Sequence, residues 1–152
     1  MKITRQMKSA TRLYAVQALF QMEAAGQSAD RVILEFLDHR FGAQTDAGAL
    51  AEGDPKLFRK LIEAAVDRQA KIDQMTDRAL VAKWPINRID PTLRALFRAA
   101  GAELVLGQTP PRVVISEYVD VARAFFPEGD EPKFANAVMD HMAREAQPQA
   151  FS

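Results

Sequence analysis

The chain of 152 residues contains no cysteine and only two histidines. Without cysteine it can form neither a disulfide nor a thiolate zinc site, and it has no cysteine nucleophile. His39 and His141 stand apart from each other and fit no HxxxH or HExxH spacing. The motifs GxxxxGK[ST], GxGxxG and GxSxG, typical of nucleotide sites and hydrolases, are missing too. We therefore expect a protein that is not an enzyme and needs no metal or cofactor.

An excess of charge of one sign is also lacking, since 20 Lys and Arg balance 20 Asp and Glu. This balance excludes a uniformly basic protein that coats nucleic acid, so any nucleic-acid site must be local. No apolar run approaches the roughly 18 residues that span a bilayer, and no apolar signal segment follows the basic N-terminus. We expect a single cytoplasmic domain over residues 1–152.

Apolar residues recur at helical spacing in the first half of the chain. A first helix is predicted from about Lys8 to Ala25, and a second begins after the N-cap residue Ser28 and ends at Gly42. The 42–54 segment holds three glycines and few large apolar residues, which predicts one long, flexible loop. A third helix begins at Asp54-Pro55, where a capping carboxylate precedes a proline.

The second half continues the same pattern. The periodicity runs to Trp84-Pro85, which predicts a fourth helix or a bend before that point. Asp90-Pro91 begins a strongly apolar helix, closed by Gly107, that we expect to be the most buried. Further helices are predicted after Pro110-Pro111 and from 130–132 onward. Because no segment alternates with period two, the sequence predicts an all-α bundle of about six or seven helices.

The start of the chain is purely basic. Its cations all precede the first acidic residue, Glu23, and are Lys2, Arg5, Lys8 and Arg12. Residues 1–12 are therefore predicted to form a basic N-terminal arm that could hold RNA phosphates, because unpaired cations at a helix N-terminus oppose its dipole. The alternative is a solvated helix start. Phe20 could stack on an RNA base beside the arm or simply pack in the core.

Several longer segments carry a resemblance to a known family. They are AVQALFQ at 15–21, RIDPTLRALFRAAGAEL at 88–104, PPRVVISEYVDVARAFF at 110–126 and DEPKFANAVMD at 130–140. In this order, the segments resemble the NusB family of bacterial transcription antitermination factors along nearly the full chain. The resemblance implies a fold of two small helical bundles packed together. It also implies binding of the boxA sequence of ribosomal RNA leaders together with NusE, a small-subunit ribosomal protein, in a complex that joins RNA polymerase.

The resemblance also implies site residues. The positions matching the family's RNA-binding residues, with two neighbouring cations, are Lys2, Arg5, Lys8, Arg12, Phe20 and Arg98. The positions implied at the surface shared with NusE are Asp130, Lys133, Phe134 and Asn136. Two other interpretations stay open: Arg98 could form an intrahelical pair or cap the core, and Phe134 could pack inward.

Two hypotheses of function follow from these residues. The first is a non-enzymatic adaptor that binds RNA and NusE together. The second is a helical protein-interaction module, or a homodimer, with little RNA affinity of its own. Ser9, Ala10 and Thr11 favour the second hypothesis, because relatives look more basic there.

Overall fold

The computed structural model of the protein describes residues 2–80 and 89–151. Trp84-Pro85, the predicted break, and Arg88, the first residue of one family segment, lie outside the described residues. Within those ranges there are seven α-helices: α1 (Arg5–Ala25), α2 (Ala29–His39), α3 (Pro55–Asp67), α4 (Gln69–Ala79), α5 (Pro91–Leu106), α6 (Pro111–Phe125) and α7 (Glu131–Ala146). A two-stranded hairpin, β1 (Gln44–Thr45) and β2 (Gly48–Ala49), follows α2, and a 3-10 turn (Pro148–Phe151) follows α7. No helix in the described ranges is long and apolar enough to cross a membrane.

Helices α1, α2 and α3 form the first bundle, because each packs against the other two. Its centre is a cluster of four rings, Tyr14, Phe36, Phe41 and Phe58, with centroids 4.8 to 6.2 Å apart. Edge and offset-stacked geometries of this kind add to the stabilisation from apolar burial.

Helices α4, α6 and α7 form the second bundle around α5, which also packs against α1 and α3. Ten residues of α5, all between Leu93 and Leu104, are buried. The predictions of an all-α fold, of two packed bundles and of a buried central helix are therefore confirmed.

The predicted caps form at the starts of three helices. Ser28 Oγ accepts the Arg31 N–H at 3.2 Å, Asp54 Oδ1 accepts two backbone N–H groups of α3, and Asp90 Oδ1 accepts the Thr92 N–H at 2.7 Å. Each bond satisfies a backbone donor that the first turn leaves without an intrahelical partner. Local capping chemistry therefore sets where these helices begin.

The prediction that α1 begins near Lys8 is wrong. The helix begins at Arg5, because Thr4 Oγ1 accepts the Met7 N–H at 3.1 Å and so caps the helix earlier. The basic segment at 1–12 is thus mostly the first two turns of a helix. Arg5, Lys8 and Arg12 therefore lie on α1, and Lys2 precedes it.

The 42–54 segment differs from the predicted loop. It contains the β1–β2 hairpin, whose two-residue strands are too short to give an alternating sequence pattern. Thr45 Oγ1 donates to the Gly48 carbonyl at 2.7 Å and accepts the Ala47 N–H at 3.2 Å. Helix α2 ends at His39 instead of Gly42, and the N–H of the C-cap residue Arg40 donates to the Phe36 carbonyl. The flexibility of the segment stays a prediction.

Gly101 marks a close approach between α5 and α4. A Cβ at this position would lie 2.4 Å from Ile72 Cγ2 and 3.2 Å from Met142 Cε. Overpacking of this kind costs about 1–3 kcal/mol, while alanine gains about 1 kcal/mol of helix propensity over glycine. We expect Gly101→Ala to lower the free energy of unfolding by about 1 kcal/mol, measured by urea denaturation. An increase would show that Ile72 moves aside at little cost.

Candidate nucleic-acid interface

Three predicted cations, Lys2, Arg5 and Lys8, are exposed at the start of α1. The first turn of α1 holds no acidic residue, and no ion pair joins these three side chains to another described residue. The N-terminus of a helix carries a partial positive charge of its own. The three side chains, called here the N-terminal cations, therefore form a local region of positive potential.

Lys8 also lines an open groove of about 410 Å³ between α1, the start of α3 and the turn that joins α5 to α6. The opposite walls contribute Lys56 and Lys60 from α3 and Gln108 and Thr109 from the turn. We call this groove the lysine groove; Ile3, Arg12, Asp54 and Leu57 complete its lining. Sequence reasoning did not single out Lys56 or Lys60, although their spacing places both on one face of α3. What the sequence does not show is that this face meets the start of α1.

Arg12 is not the exposed cation that its place in the basic N-terminal segment predicted. It is only 5% exposed, and its Nε and Nη2 donate to Glu103 Oε1 and Oε2 at 2.9 and 2.8 Å. Its Nη1 donates to Glu117 Oε1, which also accepts from Ser9 Oγ, and Tyr118 OH donates to Glu103 Oε1 at 3.0 Å. The charge of Arg12 is thus compensated inside the protein, where it ties α1 to α5 and α6.

The pKa values of Arg12 and Tyr118 are both raised, so both groups stay protonated. Burial lowers the pKa of Arg12, but the hydrogen bond and negative charge of Glu103 outweigh it, so the pKa is raised overall. Burial, followed by the charge of Glu103, raises the pKa of Tyr118 well above its usual range. Arg12 therefore stays charged and Tyr118 stays a hydrogen-bond donor throughout the physiological range.

Arg98 is likewise committed to partners inside the protein. Its Nε and Nη2 donate to Asp73 Oδ1 and Oδ2 at 3.0 and 2.9 Å, and Glu23 lies 3.8 Å away. The Asp73 hydrogen bond raises the Arg98 pKa against the opposing effect of burial. This pair joins α5 to α4 rather than lying within one helix. An RNA contact by Arg98 remains a prediction, but its charge is already compensated.

Phe20 lies partly exposed, at 39%, as stacking on a base would require. It lines a groove of about 300 Å³, here called the apolar groove, formed by Val16, Gln17, Phe20, Gln21, Ala24, Ala25, Thr92 and Phe125. None of these lining residues is charged. The ring is therefore accessible, but the groove around it offers no cation to hold a phosphate.

The predicted partner segment presents one face outward at the start of α7. Lys133 and Asn136 are exposed, and Phe134 is 39% exposed. The Phe134 and Phe97 rings meet edge to face, with their centroids 6.4 Å apart. Pro132 and Ala135 supply the buried face of this turn. Phe134 therefore lies at the rim of the core instead of inside it.

Asp130 comes immediately before α7, and its side chain makes no capping hydrogen bond. It is exposed beside the outward face of the segment. The Asp130 carboxylate therefore does not cap the start of α7.

Taken together, the described residues form an all-helical protein in which the N-terminal cations lie outside the apolar groove around Phe20. Over residues 2–80 and 89–151, no three His, Asp or Glu side chains are grouped as a metal ion requires. The profile of the NusB family matches residues 9–144. The chain belongs to the NusB family.

Similar proteins agree with this assignment. The transcription antitermination protein NusB of Maricaulis maris is 49% identical over 95% of this chain and 91% of its own. That of Brucella anthropi is 43% identical over 92% of this chain and 83% of its own. Among solved structures, T. maritima NusB matches with a TM-score of 0.76 and 28% identity, covering 99% of both chains.

Proposed function

We propose that the chain is a transcription antitermination factor that binds boxA-containing RNA together with NusE and joins RNA polymerase with other Nus factors. Such a factor works in the bacterial cytoplasm, where transcription takes place, and performs no catalysis. The observation that carries the proposal is the set of N-terminal cations, which form no ion pair with the described residues, found in a chain of the NusB family. A protein with the same fold, at 22% identity, has been solved as antitermination factors NusB and NusE in complex with dsRNA.

The N-terminal cations supply the RNA-binding step. Lys2, Arg5 and Lys8 can each neutralise a phosphate and release a condensed counterion. Three such contacts predict a log–log salt slope of about −2 for a single strand, from roughly −0.7 per contact. Binding by this set alone is therefore modest at cellular salt. Selectivity for boxA requires further contacts to the bases.

The protein partner requires a different surface. The apolar groove around Phe20 includes Phe125 at the end of α6, and the segment from Asp130 to Asn136 follows after a short turn. We assign both to NusE, because an apolar groove with a mixed polar rim suits a protein interface better than a phosphate chain does. RNA and NusE then bind to neighbouring parts of one helical scaffold.

Joint binding makes a thermodynamic prediction. If RNA and NusE contact each other or the same ordered elements, each must strengthen the binding of the other by the same factor. We expect fluorescence anisotropy to show tighter binding of labelled boxA RNA in the presence of NusE. A scrambled RNA should gain less.

The variant Lys2→Gln/Arg5→Gln/Lys8→Gln should bind both boxA RNA and the scrambled RNA more weakly, and its salt slope should flatten by about 2. The matched control is Arg31→Gln/Lys71→Gln/Arg112→Gln, which removes three exposed cations from other helices. Equal, weak binding of both RNAs with and without NusE would contradict the proposal. Light scattering on the same samples measures the molar mass of the protein. The mass of a dimer would indicate a homodimer that buries the N-terminal cations.

A further inference from the structure

We propose that the lysine groove is a second binding site for RNA backbone, in which Lys56 and Lys60 hold phosphates that lead on from the N-terminal cations. This inference rests on the proposed function, since it takes single-stranded RNA as the ligand. It adds α3 and the α5–α6 turn to an interface otherwise limited to the start of α1.

The first support is the charge of the groove. Lys8, Lys56 and Lys60 all line it, and no carboxylate in the described part of the chain lies within ion-pair distance of any of them. The ion pairs found in that part of the chain are all made by arginines. Within that part of the chain, no ion pair therefore compensates the charge of any of these three lysines.

One carboxylate, that of Asp54, lies among the three lysines. Its Oδ1 accepts the Lys56 and Leu57 N–H groups at 3.1 and 3.2 Å, so this oxygen is engaged by the helix it caps. Arg12 also lines the groove, but Glu103 and Glu117 compensate its charge. The balance of the groove remains positive, which favours an anionic ligand.

The second support is that the walls of the groove are fixed relative to each other. Thr11 Oγ1 on α1 accepts the Asp54 N–H at 2.7 Å and donates to the Met7 carbonyl at 2.6 Å. This buried hydroxyl holds the start of α3 against α1. Across the groove, Lys60 Nζ donates to Gln108 Oε1 at 3.4 Å. The α5–α6 turn, which forms the third wall, is therefore close enough to α3 for one ligand to contact both. A preorganised groove loses little entropy when it binds.

The third support is the chemistry of the lining, which indicates which part of RNA binds. No aromatic ring is found among the lining residues, so bases have no surface on which to stack. Lysine ammonium groups, the Gln108 amide and the Thr109 hydroxyl suit phosphate and ribose oxygens. Since Lys8 belongs to both sets, a strand held by the N-terminal cations continues directly into the groove. The groove should therefore add affinity without adding sequence preference.

The test compares Lys56→Gln/Lys60→Gln with Arg31→Gln/Lys71→Gln, a control that removes two exposed cations elsewhere. Anisotropy is measured with labelled boxA RNA and a scrambled RNA, with and without NusE, at several salt concentrations, and the affinity for NusE is measured by calorimetry. We expect the groove variant to bind both RNAs about tenfold more weakly at 0.15 M salt and its slope to flatten by about 1.4, from roughly 0.7 per lost contact. The control should match the unmodified protein, and circular dichroism should show that both variants are folded.

Three results separate the possibilities. If the unmodified protein with NusE selects boxA but the groove variant binds like the control, the groove inference is overturned and the proposed function stands. If the unmodified protein shows no preference for boxA, the proposed function fails, while a groove-dependent salt slope would still support the backbone site. If the groove variant loses affinity for NusE and not for RNA, the groove binds protein and the inference is wrong.

Discussion

Replacement of Arg12 by alanine is expected to lower the free energy of unfolding by about 3–5 kcal/mol. The substitution leaves Glu103, 2% exposed, and its neighbour Glu117 without the guanidinium that compensates them. A buried carboxylate that loses its partner keeps its desolvation cost and loses the attraction that offset it. The bidentate geometry of the Arg12–Glu103 pair increases what is lost.

Urea denaturation followed by circular dichroism measures this loss. Lys8→Ala, which removes an exposed cation one turn earlier on α1, is the matched control and should change stability by less than about 0.5 kcal/mol. Arg12→Met/Glu103→Leu should recover part of the stability, because it removes both buried charges and retains apolar volume. A loss below about 1 kcal/mol for Arg12→Ala would mean that water enters and solvates the carboxylates.

The same variant separates the structural role of Arg12 from the RNA contact that the family resemblance implied. If Arg12 acts by holding α1 to α5 and α6, folded Arg12→Ala at low temperature should keep the salt slope of RNA binding. A slope flattened by about 0.7 would instead assign one phosphate to Arg12.

The sequence predicted those features that depend on neighbours along the chain. Caps at Ser28, Asp54 and Asp90 act on N–H groups two or three residues away, so the starts of these helices could be identified. Arg12 differs, because its partner Glu103 lies 91 residues away. The sequence marked the basic residues but could not tell an exposed cation from one buried in an ion pair.

The same reason explains the site residues that sequence reasoning missed. Lys56 and Lys60 are ordinary surface residues of an amphipathic helix in sequence terms. They form a site only together with Gln108 and Lys8, because the packing of α3 against α1 and α5 places these residues in the same groove. A functional surface assembled from three distant segments has no local signal.

Phe20→Ala is expected to weaken binding of the proposed partner NusE by about 30-fold or more, corresponding to a loss of about 2 kcal/mol. The ring is 39% exposed in a groove whose lining residues carry no charge, and aromatic side chains, phenylalanine among them, are enriched at protein interfaces. The cost to folding should be small, because Phe20 is not part of the buried core.

The measurement is titration calorimetry of NusE into the protein without RNA, with Leu34→Ala as the matched control. Leu34 is 58% exposed on α2 and lies outside the apolar groove, so its loss should not alter NusE affinity. RNA binding by Phe20→Ala alone should keep its salt slope, since no phosphate contact is removed. The opposite pattern, with NusE affinity unchanged and boxA RNA bound more weakly at every salt concentration, would show that Phe20 stacks on a base. In that case the apolar groove would belong to the RNA surface, because stacking contributes affinity that does not depend on counterion release.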